Sequence, residues 1–306
     1  MTSSRYHVDE RPHEPNNSHT LLLDLVGSNR RVLELGCSTG YMTQWLAAAG
    51  CDVTGVEVSP EAAEEARQWA QEVVVGDLDS LDLEAQFGDR RFEAVLCGDV
   101  LEHLRDPGRV LVAARRLLEP GGVVVASVPN VAHGDVRLEL LAGRFEYRNL
   151  GLLDDTHVRL FTRDSLQQLL RDSGLVGVDW RTTRVPLGTT ELAAAVDAAP
   201  PGVREALEAD PDAETYQFVV AAVPDDGTKA LGELSDRLGA AQLLAERSEV
   251  ENVALRAKVE LLIREAEAAR TEAVRLTQGL SAAQAVKSWK GLTPLRTAVQ
   301  RSRGDQ

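Results

Sequence analysis

Residues 31–40 read Arg-Val-Leu-Glu-Leu-Gly-Cys-Ser-Thr-Gly, an apolar run that leads into a glycine turn. Gly36 and Gly40 let the backbone approach a ligand without interference from a Cβ atom. The next segment, Met42–Ala49, is rich in helix formers, and the first N–H groups of a helix have no partner within it. The stretch therefore predicts a strand, a ligand-binding turn and a helix.

The turn disfavours a dinucleotide. A nicotinamide cofactor is typically bound by G-x-G-x-x-G, whereas the two glycines here are four residues apart. Glu34 lies two residues before the first glycine, where a carboxylate would repel phosphate and attract an ammonium group. We therefore expect a ligand with a positively charged end.

Short β-branched runs alternate with helical stretches along the first 223 residues, which predicts an α/β fold with a mostly parallel sheet. Ser59-Pro60 begins one helix with a capping hydroxyl and a proline, and Pro107–Leu118 forms another, closed by Glu119-Pro-Gly-Gly122. The seven predicted strands are Val32–Leu35, Val53–Val56, Val73–Val75, Ala94–Cys97, Val123–Val128, Leu175–Trp180 and Phe218–Val223.

Acidic residues follow successive strands. Glu57 ends the second strand, where it could accept hydrogen bonds from a ribose, although its charge could instead favour the N-terminus of the next helix. Asp77 follows the third strand, and Gly98-Asp99 follows the fourth. Because the ends of parallel strands share one edge of a sheet, these groups are expected to line one crevice.

The order Glu34-Leu-Gly-Cys-Ser-Thr-Gly40, Glu57, Gly76-Asp77 and Asp99-Val-Leu-Glu-His-Leu104 resembles the motifs of class I S-adenosylmethionine-dependent methyltransferases, in particular those related to ubiquinone-biosynthesis O-methyltransferases. The resemblance covers about residues 19–180 and implies a Rossmann-like sheet in the order 3-2-1-4-5-7-6 with an antiparallel last strand.

The resemblance also implies the cofactor and its contacts. It places Gly36 and Gly40 at the methionine end of S-adenosylmethionine, Glu57 at the ribose, Asp77 with Leu78 at the adenine, and Gly98 or Asp99 at the methyl-transfer site. Ser38 replaces the glycine that is common in the middle of the turn. The full set of implied cofactor residues is Glu34, Gly36, Cys37, Ser38, Gly40, Glu57, Val58, Asp77, Leu78, Gly98 and Asp99.

A partly polar insert at residues 130–160 is expected to contact the methyl acceptor. A hydroxyl acceptor benefits from a base with a pKa near neutrality, so we rank His133 first, His157 second and His103 third. Each could instead be a hydrogen-bonded structural histidine. Arg137 and Arg159 could bind an anionic group of the acceptor, and no metal site is expected.

Segments 128–137 and 152–162 are similar to a bacterial methyltransferase branch that is often found alongside glycosyltransferases. This likeness suggests O-methylation of a sugar, a glycan or another small molecule. The alternative is a dimeric scaffold with a weak or inactive methyltransferase domain that recruits glycosyltransferase-like partners. A second insert, Val185–Pro211, predicts a small helical elaboration.

The sequence changes character after residue 223. Residues 224–230 predict a linker, and heptads at 231–285 predict a coiled coil that forms a homodimer or holds a partner. A single amphipathic helix folded against the enzyme is the alternative. Residues 286–306 form a basic tail that could contact a partner or simply fray.

Composition narrows the class of protein further. The formal net charge of −15 argues against a nucleic-acid partner, because phosphate binding needs clustered Lys and Arg. Cys37, Cys51 and Cys97 lack the spacing of a zinc or redox motif and are expected in the core. Without a signal peptide or an apolar run long enough to span a membrane, a cytoplasmic protein is expected.

Overall fold

The computed structural model describes residues 14–194, 196 and 199–225. Within them, one mixed sheet has the order β3-β2-β1-β4-β5-β7-β6. The strands are β1 (Arg31–Leu35), β2 (Asp52–Glu57), β3 (Glu72–Val75), β4 (Phe92–Gly98), β5 (Leu118–Pro129), β6 (Leu175–Arg184) and β7 (Thr215–Pro224). β7 runs antiparallel to both β5 and β6. The order and the antiparallel last strand confirm the prediction.

Helices connect these strands, and one of them begins with the predicted capping hydroxyl and proline. The side chain of Ser59 accepts a hydrogen bond from the Ala62 N–H, with Pro60 as the first helical residue. The helices are α1 (Ser18–Val26), α2 (Tyr41–Ala48), α3 (Pro60–Ala66), α4 (Leu83–Phe87), α5 (Pro107–Leu117), α6 (Gly134–Leu141), α7 (Arg163–Asp172) and α8 (Val203–Ala209), with a 3₁₀ turn at Leu101–His103.

The helix ends before residues 119–122, as the sequence predicts, but these residues lie within a strand. β5 begins at Leu118, directly after α5. Phe92 pairs with Leu118 whereas Ala94 pairs with Val123, so Glu119, Pro120 and both glycines form a bulge within β5. Proline and glycine are tolerated there because a bulge leaves residues outside the ladder.

Both faces of the sheet are buried. On β1, Val32 packs into a core with α1 and α2, and Leu33 packs into a second core with α5 and α7. Successive side chains of a strand point to opposite faces, so covering both faces requires nearly continuous apolar strands. This requirement explains the apolar runs from which the strands were predicted.

The sheet reverses its order at β1, which lies between β2 and β4. In open α/β sheets, ligands bind outside the carboxyl ends of the strands at such a switch point. The glycine turn after β1, Glu57 after β2 and Asp99 after β4 all lie at this edge. The fold therefore brings the predicted site residues together.

The two inserts contain helices. α6 lies in the first insert, for which no secondary structure was predicted either way, and α8 lies in the second, where a helical elaboration was predicted. The predicted linker beyond residue 225, the coiled coil and the basic tail lie outside the described residues. Among the described residues, no helix is long and apolar enough to cross a membrane.

Gly40 and Gly121 have similar backbone conformations but differ in how closely other atoms approach them. Gly40 has φ +86°, and a Cβ atom there would lie 2.7 Å from the Cα of Ala66 in α3. Gly121 has nearly the same φ, +83°, with no atom within 4 Å of its Cβ position. Gly40→Ala therefore combines backbone strain with a clash, whereas Gly121→Ala introduces the strain alone.

We expect Gly40→Ala to lower the free energy of unfolding by about 1–3 kcal/mol more than Gly121→Ala. Both variants place a residue with a Cβ in a left-handed backbone conformation, but only Gly40→Ala also overpacks the contact with α3. Urea denaturation of both variants and the parent chain measures the difference. Equal losses in the two variants would show that the contact between the turn and α3 relaxes without cost.

Candidate active site

One cavity of about 1010 Å³ opens at the carboxyl edge of the sheet. Pockets for a single small molecule usually hold about 300–1,000 Å³, so this one lies at the upper end of that range. Ten of the residues predicted for the site line it. They are Gly36, Ser38, Glu57, Val58, Asp77, Leu78, Gly98, Asp99, His103 and His157.

Glu57 connects the glycine turn to the beginning of α3. Its Oε2 accepts a hydrogen bond from the Ser38 N–H and its Oε1 accepts one from the Ser59 N–H, both at 2.9 Å. Ser38 adopts φ +48°, a left-handed conformation in which glycine has no steric penalty. This conformation explains why a glycine is common at the position that Ser38 occupies here.

Three predicted cofactor residues, Glu34, Cys37 and Gly40, lie behind the cavity wall. The Sγ of Cys37 packs so closely on Gly55 that a Cβ there would lie 2.7 Å away. Gly40 allows α3 to approach, as described above. These two residues support the turn and do not belong to the lining.

Glu34 is the third residue behind the wall. Its side chain is buried and accepts a 2.6 Å hydrogen bond from the Thr43 hydroxyl. Burial raises the pKa of Glu34 from its ordinary 4.5 to about 8, and the charge of Glu57 adds to this effect. Near neutral pH the Glu34 carboxyl is therefore largely protonated.

The end of the cavity beside β3 combines apolar and acidic groups. Val58 lines the cavity although 63% of its surface is exposed, and buried Leu78 lines it as well. Asp77 accepts a hydrogen bond from the Asp79 N–H at 2.9 Å. A flat apolar ring with polar edges fits such a wall.

Asp99 is held in a strained backbone conformation, with φ +52°. Its N–H donates to the Ser127 hydroxyl at 2.9 Å, and its Oδ1 accepts from that hydroxyl at 2.7 Å and from the Gln217 amide at 2.9 Å. Left-handed backbone at a residue other than glycine costs about 1–3 kcal/mol and tends to occur at functional sites. The network fixes this carboxylate against the middle of the cavity.

His103 and His157 meet across the cavity wall, with ring centroids 4.9 Å apart. His103 lies on the 3₁₀ turn, and its Nδ1 is 3.3 Å from the Thr156 carbonyl oxygen. Burial lowers the pKa of His157, and the neighbouring His103 lowers it further. Two of the three histidines proposed as bases are thus in one place.

The carboxyl group of Glu102 lies close to these two imidazoles. One ligand atom from each of Glu102, His103 and His157 lies within 4.8 Å of the others. Glu102 is 1% exposed, and burial together with the charge of Asp99 raises its pKa well above the ordinary value. The sequence predicted no metal site, and in the structure these three side chains form a group of possible ligands.

His133 does not occupy a position consistent with a catalytic base. It is fully buried and caps α6, where its Nδ1 accepts from the Asp135 N–H. Its Nε2 lies 2.9 Å from the Val185 carbonyl oxygen, so this nitrogen carries the proton. With both nitrogens engaged away from the cavity, His133 has a structural role.

The two arginines proposed to bind an anionic acceptor are also engaged elsewhere. Arg137 forms a 2.6 Å ion pair with Asp210, and the Arg159 guanidinium donates to the Arg105 carbonyl oxygen at 2.6 Å. Neither belongs to the cavity lining. The structure thus offers no support for an anion site at these residues.

Tyr216 and Gln217 line the cavity but were not identified from the sequence. They lie at the start of β7, and Gln217 pairs with Pro129 at the end of β5. The Tyr216 hydroxyl donates to Glu191 at 3.0 Å. Because β7 is antiparallel, its first residues lie at the edge where the parallel strands end. The predicted strand order with an antiparallel last strand was the signal that could have identified Tyr216 and Gln217.

A seven-stranded sheet of this order, with a glycine turn and acidic strand ends around one large cavity, defines a Rossmann-like methyltransferase fold. A family model described as "Methyltransferase domain" matches residues 9–179. The chain belongs to this methyltransferase family. The class predicted from the motifs, whose methyl donor is S-adenosylmethionine, is thereby confirmed.

Curated relatives agree with this family. A ubiquinone biosynthesis O-methyltransferase from Cereibacter sphaeroides is 31% identical over 153 residues, which cover 49% of this chain and 61% of the relative. One from Xanthomonas oryzae pv. oryzae is 29% identical, with 56% and 75% covered. One from Alkalilimnicola ehrlichii is 36% identical, with 33% and 42% covered. The first and third matches thus span less than two thirds of the relative.

Solved structures with a similar fold include magnesium protoporphyrin IX methyltransferase from Synechocystis with bound S-adenosylhomocysteine, at 19% identity and a TM-score of 0.44 over 67% of this chain and 80% of that chain. Another is the CcbJ methyltransferase from Streptomyces caelestis, at 19% identity and a TM-score of 0.46 over 71% and 94%.

The buried carboxyl of Glu34 predicts a pH dependence of stability. Its pKa is about 8 in the folded chain, against an ordinary 4.5. Between these values the folded state retains a proton that the unfolded state has released, so stability falls as pH rises, by about 1.4 kcal/mol per pH unit at most. Glu34→Gln keeps the acceptor for Thr43 and removes the titration.

We expect the parent chain to lose about 2–3 kcal/mol more than Glu34→Gln between pH 5.5 and 7.5, as the slope above implies. Urea unfolding at both pH values measures this difference. Glu205→Gln, which changes an exposed carboxyl on α8, is the control and should follow the parent. Parallel profiles for the parent and Glu34→Gln would contradict the buried, protonated state.

Proposed function

We propose that this chain transfers a methyl group from S-adenosylmethionine to an oxygen of a small molecule, with sugars among the candidate acceptors. One observation carries the proposal: the turn and acidic strand ends share a single cavity with the cluster of His103 and His157. Donor and acceptor would therefore meet without an intervening wall.

The donor half suits a cation with an attached nucleoside. Glu57 and Asp77 reach the cavity from two adjacent strand ends, where carboxylates can accept from ribose hydroxyls and an adenine amino group. Val58 and Leu78 offer apolar contacts for the purine. The carboxylates of this half also favour a sulfonium and an ammonium group electrostatically.

The acceptor half is polar and includes Thr156, His157, Tyr216 and Gln217. In the proposed reaction, the acceptor oxygen forms a bond to the methyl carbon as its proton passes to the imidazole of His157 or His103. The carbon–sulfur bond breaks, and its electron pair stays on sulfur, which becomes neutral in S-adenosylhomocysteine. The enzyme contributes chiefly by aligning the reactants and by promoting ionisation of the acceptor, a role for which His103 and His157 are placed.

Binding of S-adenosylhomocysteine tests the donor half. We expect Glu57→Gln to weaken binding by about tenfold or more, because a lost charged hydrogen bond costs about 1.5–3 kcal/mol. Isothermal titration calorimetry measures the affinity. Glu64→Gln, an exposed change on the neighbouring helix α3 and outside the lining, is the control.

Absence of binding by the parent chain would refute the enzyme and favour the scaffold alternative. Binding unaffected by Glu57→Gln would refute the placement of the ribose. A screen with labelled S-adenosylmethionine against sugars, nucleotide sugars and phenols then identifies the acceptor class.

The network at Asp99 predicts a separate effect on turnover. Gln217→Met keeps the side-chain length but removes the 2.9 Å hydrogen bond to Asp99. We expect kcat to fall about tenfold, which corresponds to about 1.4 kcal/mol, with the affinity for S-adenosylhomocysteine unchanged. Steady-state kinetics with the best acceptor from the screen provides the measurement.

Gln168→Met makes the same change at an exposed position on α7 and should leave kcat unchanged. An equal effect of both substitutions, or a loss of cofactor affinity in Gln217→Met, would contradict a role in positioning Asp99.

A further inference from the structure

Glu191 lies in the second insert and connects two walls of the acceptor half of the cavity. Its Oε1 accepts a hydrogen bond from the Leu152 N–H at 2.6 Å, and its Oε2 accepts one from the Tyr216 hydroxyl at 3.0 Å. Tyr216 lines the cavity, and so does Gly151, which precedes Leu152. One carboxylate outside the lining therefore holds a loop residue and a strand residue that a bound methyl acceptor would contact.

Buried contacts fix the segment that leads to Glu191. Asp135, in the first turn of α6, is fully buried. Its carboxylate accepts hydrogen bonds from the Gly188 N–H at 2.7 Å and from the Thr190 hydroxyl at 2.6 Å. Since Glu191 follows Thr190 directly, its backbone is anchored on α6.

The side chain of Glu191 packs directly on Gly151. Gly151 has φ +99°, a backbone conformation that favours glycine, and a Cβ atom there would overlap Oε1 of Glu191. The loop can therefore approach the carboxylate this closely only because position 151 has no side chain. The approach brings the next N–H group of the loop, that of Leu152, to Oε1.

The hydrogen bond to Glu191 also determines how the Tyr216 hydroxyl can meet a ligand. A phenol hydroxyl has one proton to donate and lone pairs that accept. Its proton goes to Glu191, and no other hydrogen bond to this hydroxyl occurs among the residues that the structure describes. Burial raises the pKa of Tyr216 and the charge of Glu191 raises it further, so the hydroxyl keeps its proton. Towards the cavity, Tyr216 is a hydrogen-bond acceptor only.

Tyr216 lies close to the proposed methyl-transfer position. The charge of Asp99 acts on Tyr216, and the next residue, Gln217, donates to the Asp99 carboxylate at 2.9 Å. The Tyr216 ring packs edge-on against His133, with ring centroids 6.2 Å apart. The ring is thus held by His133 and the hydroxyl by Glu191, which fixes the direction of the oxygen lone pairs.

We propose that Glu191 is a positioning residue that acts through Tyr216. By taking the hydroxyl proton, Glu191 presents the Tyr216 oxygen as a hydrogen-bond acceptor to the methyl acceptor. The molecule that fits carries a donor group, a hydroxyl or an amine, besides the oxygen that receives the methyl group. This inference rests on the proposed function, because it concerns recognition of the methyl acceptor in the same cavity.

Glu191→Gln tests the direction of the hydrogen bond with almost no change of side-chain volume. The amide oxygen still accepts from the Leu152 N–H, and the NH₂ group then donates to the Tyr216 oxygen, whose proton turns away from residue 191. The tyrosine Fermi doublet in the Raman spectrum distinguishes a hydroxyl that donates from one that accepts. Subtraction of the Tyr216→Phe spectrum isolates the signal of this residue.

We expect the Raman difference spectrum to show a donating Tyr216 hydroxyl in the full parent chain and an accepting one in Glu191→Gln. Glu205→Gln removes an exposed carboxyl on α8 in the same insert and is the matched control, with a spectrum like that of the parent. Circular dichroism verifies that each variant is folded.

Kinetics with the sugar or phenol of highest turnover in the screen test the role in recognition. We expect Glu191→Gln and Tyr216→Phe each to raise KM for that compound about tenfold, the scale of one lost hydrogen bond, with kcat unchanged. The double variant should be no worse than Tyr216→Phe alone, because Glu191 acts through Tyr216. An analogue without the second donor group should show the same KM with the parent and with Tyr216→Phe.

An unchanged Raman doublet in Glu191→Gln, or additive losses in the double variant, would overturn the inference. S-adenosylhomocysteine is titrated in parallel into every chain. Normal binding of that ligand together with either of these results would refute the role of Glu191 and leave the methyltransferase proposal intact. A parent chain that binds no S-adenosylhomocysteine would instead refute the proposed function, and with it the role of Tyr216 in recognition, whatever the Raman spectra show.

Discussion

The structure depends on the close approach of the backbone at the turn after β1. A Cβ on Gly36 would lie 2.6 Å from Val100, and one on Gly40 would lie 2.7 Å from the backbone of Ala66. The first contact sets the turn against the strand end that carries Asp99, and the second sets it against α3. Glu57 then bonds to the N–H groups of Ser38 and Ser59, on the two sides of the same junction. The relative positions of three strand ends therefore depend on the absence of a Cβ atom at Gly36 and at Gly40.

The carboxylates that these contacts bring together make the cavity negative, which favours positively charged ligands. The charge of Asp99 acts on Tyr41, Glu102 and Tyr216, and in each case it adds to burial in raising the pKa. Such a field attracts the sulfonium of the donor and loses that attraction when the methyl group has left, since the product is neutral at sulfur. The same field opposes ionisation of an acceptor hydroxyl.

Sequence patterns predicted the parts of the site that follow directly from strand ends. The strand order and the positions of Glu57, Asp77 and Asp99 were predicted because a parallel sheet gathers its carboxyl ends at one edge. Glu34 and Cys37 were assigned to the cofactor, but neither lines the cavity. The buried Glu34 accepts a hydrogen bond from Thr43, and the Sγ of Cys37 packs against Gly55. His133 was ranked first for its place in a polar insert, and no local pattern shows that it caps α6 through Asp135. The partnership of Glu102 with His157 depends on a loop 55 residues away in the chain, so spacing could not reveal it.

The proposed donor and acceptor halves of the cavity are built by different parts of the chain, and this division bears on specificity. The donor half comes from the β1 turn and the ends of β2 and β3, which the packing of the sheet fixes. The acceptor half comes from the loop at 148–157 and the start of β7, which Glu191 joins by accepting hydrogen bonds from Leu152 N–H and the Tyr216 hydroxyl. Loops on a rigid scaffold can change without loss of the core. Asp99 touches both halves, since its backbone follows β4 while Gln217 of β7 holds its side chain. A change of acceptor is therefore expected to involve the loop and β7 first, with Asp99 as the fixed point at which both substrates meet.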